Sequence, residues 1–580
     1  MQRNPPVAWE DSKRVFFLKI HFQTAVPPLH SLNLPKNLRM RWILIAALLC
    51  YLSFFSFGQA TSLKPLKSPK LVVGLVIDQM RWDYLYRYQD RYTEGGFRRL
   101  LSQGFSCENT FIPYTPTYTA AGHSSIYTGS VPAINGIMGN NWFSRELGRN
   151  VYCTDDSTVK TVGSSSAAGH MSPKNLWTTT ITDELRIATN FRSKVIAFAL
   201  KDRGSILPGG HASNGSFWFD DDTGGWITSD FYMDDLPPWV KKLNSDGYPE
   251  QAMKKDWNTL YPIDSYLQST ADSQGYEGSI GGSKNIFPYQ LSAMKNLNSS
   301  FRTTPFGNTY TLNAGRAAIE AENLGGRGVT DFLALSLSSP DYIGHTFGPN
   351  SIEVEDTYLR LDRDIASFLV YLDKKIGKGN YLLFLSADHG AAHSPAFMQQ
   401  NRLPAGVMSE SALSKDLTSA VKASFGIGDA ILQVINYQVY LNHESILKAG
   451  ADFDKVSEFV IKQLLKRNEI TNAFRLDDPS YPVPAKLSVM FRNGYNQKLS
   501  GDIQYFYKPG WFDGGQKGTT HGVWNPHDAH IPLVWFGWNV KHGKTSRETY
   551  MTDIAPTLAT MLKIQMPNGA IGDVIEEVSR

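Results

Sequence analysis

The stretch "LVVGLVID", residues 71–78, is an unbroken apolar run rich in β-branched residues that stops at an aspartate. A strand with one wet face alternates apolar and polar residues. A run that is apolar at every position belongs instead to a strand buried on both faces, as in the middle of a parallel sheet. The same pattern returns in "KVIAFALKDR" (194–203), "DFLALSLSSPD" (331–341), "NYLLFLSADHG" (380–390) and "IPLVWFGW" (531–538). Helical spacing appears between them, as in 351–377 and 552–564. Strands alternating with helices predict an α/β fold with a mostly parallel central sheet sandwiched by helices. Two irregular tracts, 205–310 and 395–515, are rich in Gly, Pro, Asn and aromatics. They read as insertions over the carboxyl ends of the strands, with "AILQVINYQVYLN" (430–442) as a small antiparallel sheet, so that 61–580 forms one domain.

Of the 580 residues, 42% are hydrophobic and 19% charged, a balance that suits a large buried core and excludes a disordered chain. The net charge of +3 gives no reason to expect a nucleic acid partner. Residues 39–60, "RMRWILIAALLCYLSFFSFGQA", place Arg39 and Arg41 before an apolar run that ends at Gly58-Gln59-Ala60. That is the pattern of a secretory signal peptide cleaved after Ala60, and the run is shorter than the about 20 residues of a membrane-spanning helix. Residues 1–60 are therefore read as an N-terminal extension and signal, with Met40 as the candidate start. The mature protein is expected to be periplasmic or secreted, with no stable membrane span. Cleavage removes Cys50 and leaves Cys107 and Cys153, for which one disulfide is the expectation in an oxidising compartment. Two cysteines are too few for a thiolate cluster, so a metal here must be held by histidine and carboxylate.

In α/β folds ligands sit beyond the carboxyl ends of the strands. Asp78, Lys201, Arg203, Asp341, Asp388 and His389 all lie at such ends. His345 follows in "SPDYIGHTFGP" (339–349), and His521 lies in "GTTHGVWNPHDAHIP" (518–532). Three aspartates and three histidines suit zinc, which accepts imidazole nitrogen and carboxylate oxygen. Six ligands exceed the need of one tetrahedral ion and suit two. The stretch "YTPTYTAAGHSSIYTG" (114–129) is crowded with hydroxyls, and nothing within it says which of them reacts.

The ordered set Asp78, Thr119 with Asn140, the pair Lys201/Arg203, "DYIGH", "ADHG" and "THG" resembles the alkaline phosphatase superfamily, above all its bacterial phosphate-irrepressible branch. "DIAPTLATML" (553–562) is similar to a recurring segment of that superfamily, and the resemblance runs from residue 71 to 565. It implies an exported two-zinc alkaline phosphatase that hydrolyses small phosphomonoesters. The sequence leaves the oligomeric state open, and a monomer is the expectation. Asp341, His345 and His521 would hold one zinc, and Asp78, Asp388 and His389 the other. Thr119 would be the nucleophile, with its oxygen on the second zinc, and would form a covalent phosphothreonine. Asn140, Lys201 and Arg203 would contact the phosphoryl oxygens. The better-known branch pairs serine with an arginine and a third, magnesium site; threonine and the Lys201/Arg203 pair depart from it, and no third metal is expected. The alternatives are a nucleotide pyrophosphatase or phosphodiesterase with the same two-zinc core, and a metal- or phosphate-binding protein without turnover. His123 reads as helix packing, His393, His527 and His530 as structural, and His211 as shaping the pocket. Asp202 is expected to face away from Lys201 and Arg203 on an extended segment.

Overall fold

The computed structural model describes residues 68–478 and 480–579, and the signal-peptide reading of 1–60 lies outside them. The chain enters the centre of the molecule through β1 (Leu71–Ile77). It then adds β2 (Phe105–Phe111), β3 (Val195–Ala199), β4 (Gly215–Phe219), β5 (Asp331–Leu337), β6 (Tyr381–Ser386) and β7 (Leu533–Gly537). These strands line up as β2–β7–β6–β1–β5–β3–β4 within an eleven-stranded sheet. The middle of the sheet, β6–β1–β5–β3–β4, is parallel throughout. β7 and β2 extend it in antiparallel fashion, so "IPLVWFGW" supplies a strand of the sheet that runs against its neighbour β6. Every side chain of β1 is buried, as an apolar run without polar interruption requires. Each such Val, Leu or Ile contributes roughly 1.5–3 kcal/mol relative to exposure.

Six helices matter for the site: α1 (Thr119–Thr128), α2 (Asp202–Gly209), α3 (Phe306–Ala321), α4 (Ser339–Phe347), α5 (Ile352–Leu372) and α6 (Ile554–Leu562). The alternation of side chains along β5 sorts some of them between the two faces of the sheet. Leu333 and Leu335 meet Gly315 of α3, while Ser336 meets His123 of α1 and Gly204 of α2. The central sheet is therefore covered on both sides. Among the described residues no helix is long and apolar enough to cross a membrane.

Register fixes where the strands end. Ile77 pairs with Leu337, Val76 with Ser386, and Ser336 with Ala199, so β1, β5, β6 and β3 stop at one edge. The residues that follow them converge there.

The tract between β6 and β7 carries its own four-stranded antiparallel sheet, ordered Ile431–Ile435, Gln438–Leu441, Ile503–Tyr507 and Ile470–Arg475. The first two form a hairpin whose turn, Asn436-Tyr437, has φ of 60° and 61°, the left-handed values of a tight two-residue turn. Helices Glu410–Phe425 and Phe453–Leu465 pack on this sheet to build a second core that reaches Val523 and Tyr118.

The expected disulfide is absent: Cys107 and Cys153 are both free thiols and both buried. Cys107 sits on β2 in the main core, whereas Cys153 packs with Trp142, Leu176 and Leu207 in a separate apolar cluster. Each is enclosed by its own neighbours, and burial pushes both thiols up to about 12. Because the thiolate is the reactive form, neither should react with iodoacetamide at pH 8 in the folded protein, and both should react after denaturation. Mass spectrometry of the alkylated protein checks this, and a reducing agent should leave the Tm unchanged.

Candidate active site

The edge where the parallel strands stop gathers the acidic and imidazole groups. Asp78 follows β1, Asp388 and His389 follow β6, and Lys201 follows β3. After β5 the chain turns directly into α4, whose first turn holds Asp341; His345, four residues on, lies on the same helix face. His345 Nε2 is 3.1 Å from Asp341 Oδ1. His521 arrives from the loop before β7, with its Nε2 3.7 Å from the same oxygen.

The backbone sets the protonation of all three rings. His345 Nδ1 lies 2.8 Å from the Thr519 carbonyl oxygen, His389 Nδ1 3.0 Å from that of Gly390, and His521 Nδ1 2.7 Å from that of Thr117. A carbonyl oxygen can only accept, so each ring carries a proton on Nδ1 and, when neutral, leaves the Nε2 lone pair for a ligand. Burial opposes the charged form of His345, but the Asp341 carboxylate raises its pKa above the usual histidine value. The His389 and His521 rings stack with centroids 3.4 Å apart. Burial holds the pKa of His389 below the usual histidine range, and burial with the neighbouring His389 and His345 holds that of His521 well below it. Both therefore stay neutral, as a metal ligand must.

The carboxylates are as tightly placed. Asp341, His345 and His521 offer ligand atoms within 4.8 Å of one another, and Asp78, Asp341 and His389 do the same. The first group is the first expected ligand set. The second holds Asp341 where Asp388 was expected. Asp388 stands beside it: its Oδ1 accepts the backbone N–H groups of Gln79 (3.2 Å) and His389 (3.0 Å), and its Oδ2 is 3.4 Å from His389 Nε2. Asp78 Oδ1 and Asp388 Oδ2 are buried without a hydrogen bond. Buried anionic oxygens of this kind call for a cation. Burial raises the Asp78 carboxyl well above its ordinary range, and the Asp388 charge raises it further. Burial also opposes ionisation of Asp341, yet His345 and Lys201 hold that carboxyl well below its ordinary value. The donor set, imidazole nitrogen with carboxylate oxygen, fits metal binding.

Thr119 is the first residue of α1, preceded by Tyr118 in an extended conformation, and its Oγ1 is 3.2 Å from His389 Nε2. The N–H of Ala120 donates to Asn140 Oδ1 at 3.0 Å. That bond commits the carbonyl oxygen of the amide and leaves its NH2 as the group that can donate to an anion. Lys201 Nζ lies 2.7 Å from Asp78 Oδ2 and 2.5 Å from Asp341 Oδ2. Burial works against its charge, but the Asp341 and Asp78 carboxylates raise its pKa above the ordinary lysine value. Arg203 donates to the Tyr152 hydroxyl at 2.9 Å. Asp202 departs from expectation because β3 ends at Ala199 and α2 begins at Asp202, so the segment is not extended. It accepts hydrogen bonds from Tyr152 (2.7 Å) and Thr154 (2.6 Å), and through Tyr152 it steadies Arg203. A cleft of about 370 Å³, lined by Lys201, Arg203, Tyr152, Trp218, Arg302 and Tyr342, opens beside these groups.

The remaining histidines sort by their partners. His393 contacts Arg81 and Asn350, His530 contacts the Glu108 carbonyl and stacks on Trp82, and His527 Nε2 is 3.7 Å from Asp528. His211 bonds to Asp183 and the Leu176 carbonyl. His123 does more than pack: its Nδ1 is 2.9 Å from the Thr119 carbonyl oxygen and 3.3 Å from Asp388 Oδ2, and its Nε2 meets Ser336 Oγ at 2.8 Å. Its i, i+4 spacing from Thr119 was the signal that could have found it. Gln79, missed in the sequence, joins two of the carboxylates, and no sequence pattern marks it.

Gly122 keeps α1 against the chain end that carries Asp388. A Cβ there would fall 2.3 Å from the Asp388 carbonyl oxygen and 2.7 Å from its Cβ. Backbone on both sides cannot swing aside, so Gly122→Ala should destabilise the fold by about 1–3 kcal/mol and weaken metal uptake. Thermal melts and a zinc titration check both effects.

A family model described as type I phosphodiesterase / nucleotide pyrophosphatase matches residues 72–531. A Myroides odoratus protein named calcium-transporting ATPase is 54% identical over 92% of this chain and 98% of its own length. The alkaline phosphatase PhoV of Synechococcus elongatus is 54% identical over 88% of this chain and 93% of its own. The alkaline phosphatase PafA of Elizabethkingia meningoseptica is 51% identical over 88% and 94%. A crystal structure of wild-type alkaline phosphatase PafA superposes with a TM-score of 0.86 at 49% identity, over 89% of this chain and all of that one. The chain belongs to the type I phosphodiesterase / nucleotide pyrophosphatase family of the alkaline phosphatase superfamily.

Proposed function

We propose that this protein is an alkaline phosphatase that hydrolyses phosphate monoesters by two displacements at phosphorus, with Thr119 as nucleophile. The observation that carries the reading is the position of Thr119: its hydroxyl opens α1 and sits against His389, within the converging aspartates and histidines. Zinc held by Asp341, His345 and His521, and by Asp78, Asp388 and His389, would supply Lewis acidity that favours the ionised hydroxyl and neutralises the departing oxygen. Relatives named alkaline phosphatase PhoV and PafA support the reaction class.

The chain's own groups then account for the steps. The Thr119 oxygen attacks phosphorus, the bond to the leaving oxygen breaks, and a phosphothreonine forms. Water attacks the same phosphorus, releases phosphate and restores the Thr119 hydroxyl. The N-terminus of α1 directs its backbone dipole at the phosphoryl group. The NH2 of Asn140, the ammonium of Lys201 and the forked guanidinium of Arg203 match its remaining oxygens. A monoester presents about two negative charges to that pair of cations, whereas a diester presents one and a second substituent. The second reading, a nucleotide pyrophosphatase or phosphodiesterase, is favoured by the description of the matching family model. The 39–60 pattern supports an exported enzyme.

Hydrolysis of p-nitrophenyl phosphate and bis-p-nitrophenyl phosphate by the zinc-loaded protein, before and after EDTA, tests the reading. Monoester turnover should exceed diester turnover, vanish with EDTA and return with zinc. Faster diester turnover would establish the second reading instead. Thr119→Ala should lower kcat on the order of 10³-fold or more, while Thr119→Ser keeps measurable turnover. Truncating Arg203 or Lys201 should cost roughly 10²–10³-fold in kcat on the monoester and less on the diester.

A further inference from the structure

Gln79 occupies a backbone conformation that its side chain does not favour. Its φ is 63°, in the left-handed region that glycine, and to a lesser degree asparagine and aspartate, occupy readily. It is nevertheless a glutamine, and it is buried. What the residue does there is specific. Its backbone N–H donates to Asp388 Oδ1 at 3.2 Å, and its side-chain Nε2 donates to Asp341 Oδ1 at 2.7 Å. It follows Asp78 directly in sequence, so one residue touches or adjoins all three aspartates of the site.

A second feature points the same way. Gly344 lies in α4 between Asp341 and His345, and a Cβ built on it would fall 1.9 Å from Gln79 Oε1. No positive φ requires glycine at that position. Its missing side chain makes room for the glutamine amide.

We propose that Gln79 is a positioning residue: the left-handed turn after β1 lets one side chain hold Asp341 in place while its backbone holds Asp388, which sets the spacing of the two carboxylates for their metal ions. The inference rests on the two-metal reading given above. Without the amide, Asp341 loses the neutral donor that orients Oδ1 between His345 and His521, and only the Lys201 contact on Oδ2 is left to set its rotation. Strain held at a site of this kind is kept because the surrounding contacts over-determine it.

Two variants reach the same interaction from opposite sides. Gln79→Gly removes the amide and relieves the backbone. Gly344→Ala favours the helix and pushes the flexible amide off Asp341. In both, the Tm of the metal-free protein should stay within about 2 °C of wild type or rise. Zinc affinity, measured by competition with a chelator, should fall about 10–100-fold, the range usual for groups that orient metal ligands. kcat should fall with it at sub-saturating zinc while KM stays nearly constant. Wild-type zinc affinity in Gln79→Gly would overturn the inference. So would a large fall in Tm accompanying weaker binding, which would mark Gln79 as a packing residue. A wild-type protein that takes up no zinc would overturn the two-metal reading and this inference together, whereas uptake equal in wild type and variant overturns this inference alone.

Discussion

Three carboxylates held together out of water are the constraint on which the rest of the structure depends. Asp78, Asp341 and Asp388 are all buried, and burial together with the Asp388 and Asp341 charges makes Asp78 harder to ionise. A folded chain tolerates such a cluster only if cations and donors surround it. This one brings the Lys201 ammonium and the N–H groups of Gln79 and His389, while the three imidazole Nε2 atoms beside the carboxylates add places for a cation. The parallel centre of the sheet makes the gathering possible, because parallel strands in register end at one edge. The helices that follow them begin there and add their N-terminal dipoles. Thr119, buried against His389, opens α1 beside the same carboxylates.

Much of this was legible in the sequence because two independent signals coincide. Uninterrupted apolar runs announce strands buried on both faces, and the polar residues that end them announce the edge where ligands bind. Asp78, Asp341, Asp388 and His389 each terminate such a run, so the fold and the candidate ligands are read from the same stretches. The residues that escaped reading depend on contacts with no period. Gln79 is a single residue after a strand, and its partners lie 262 and 309 positions away. Asp202 was misplaced because the polar end of "KVIAFALKDR" looks the same whether the strand continues or a helix begins. The disulfide failed for a related reason: compartment chemistry favours pairing, but the distance between two cysteines is set by packing, which put them in separate clusters. The direction of β7 was equally hidden, since an apolar run of five residues serves a parallel or an antiparallel neighbour alike.

The second core explains why the inserted tract is more than ornament. Tyr118, which precedes Thr119, packs partly into that core and presents its ring edge-on to His521, with centroids 5.6 Å apart. Gly522, with φ of 118°, lies under the same ring, where a Cβ would fall 2.8 Å from it. Asn436, in the left-handed turn of the hairpin, donates to the carbonyl of Asn141 at 2.7 Å, one residue from Asn140. The insertion thus touches the chain beside Thr119, beside His521 and beside Asn140. The carboxylates at the floor are fixed by the central sheet, whereas the segments over them are fixed jointly by the sheet and the insertion. The sheet thus holds the floor, and the insertion adds its contacts to the segments that carry Tyr118, His521 and Asn140.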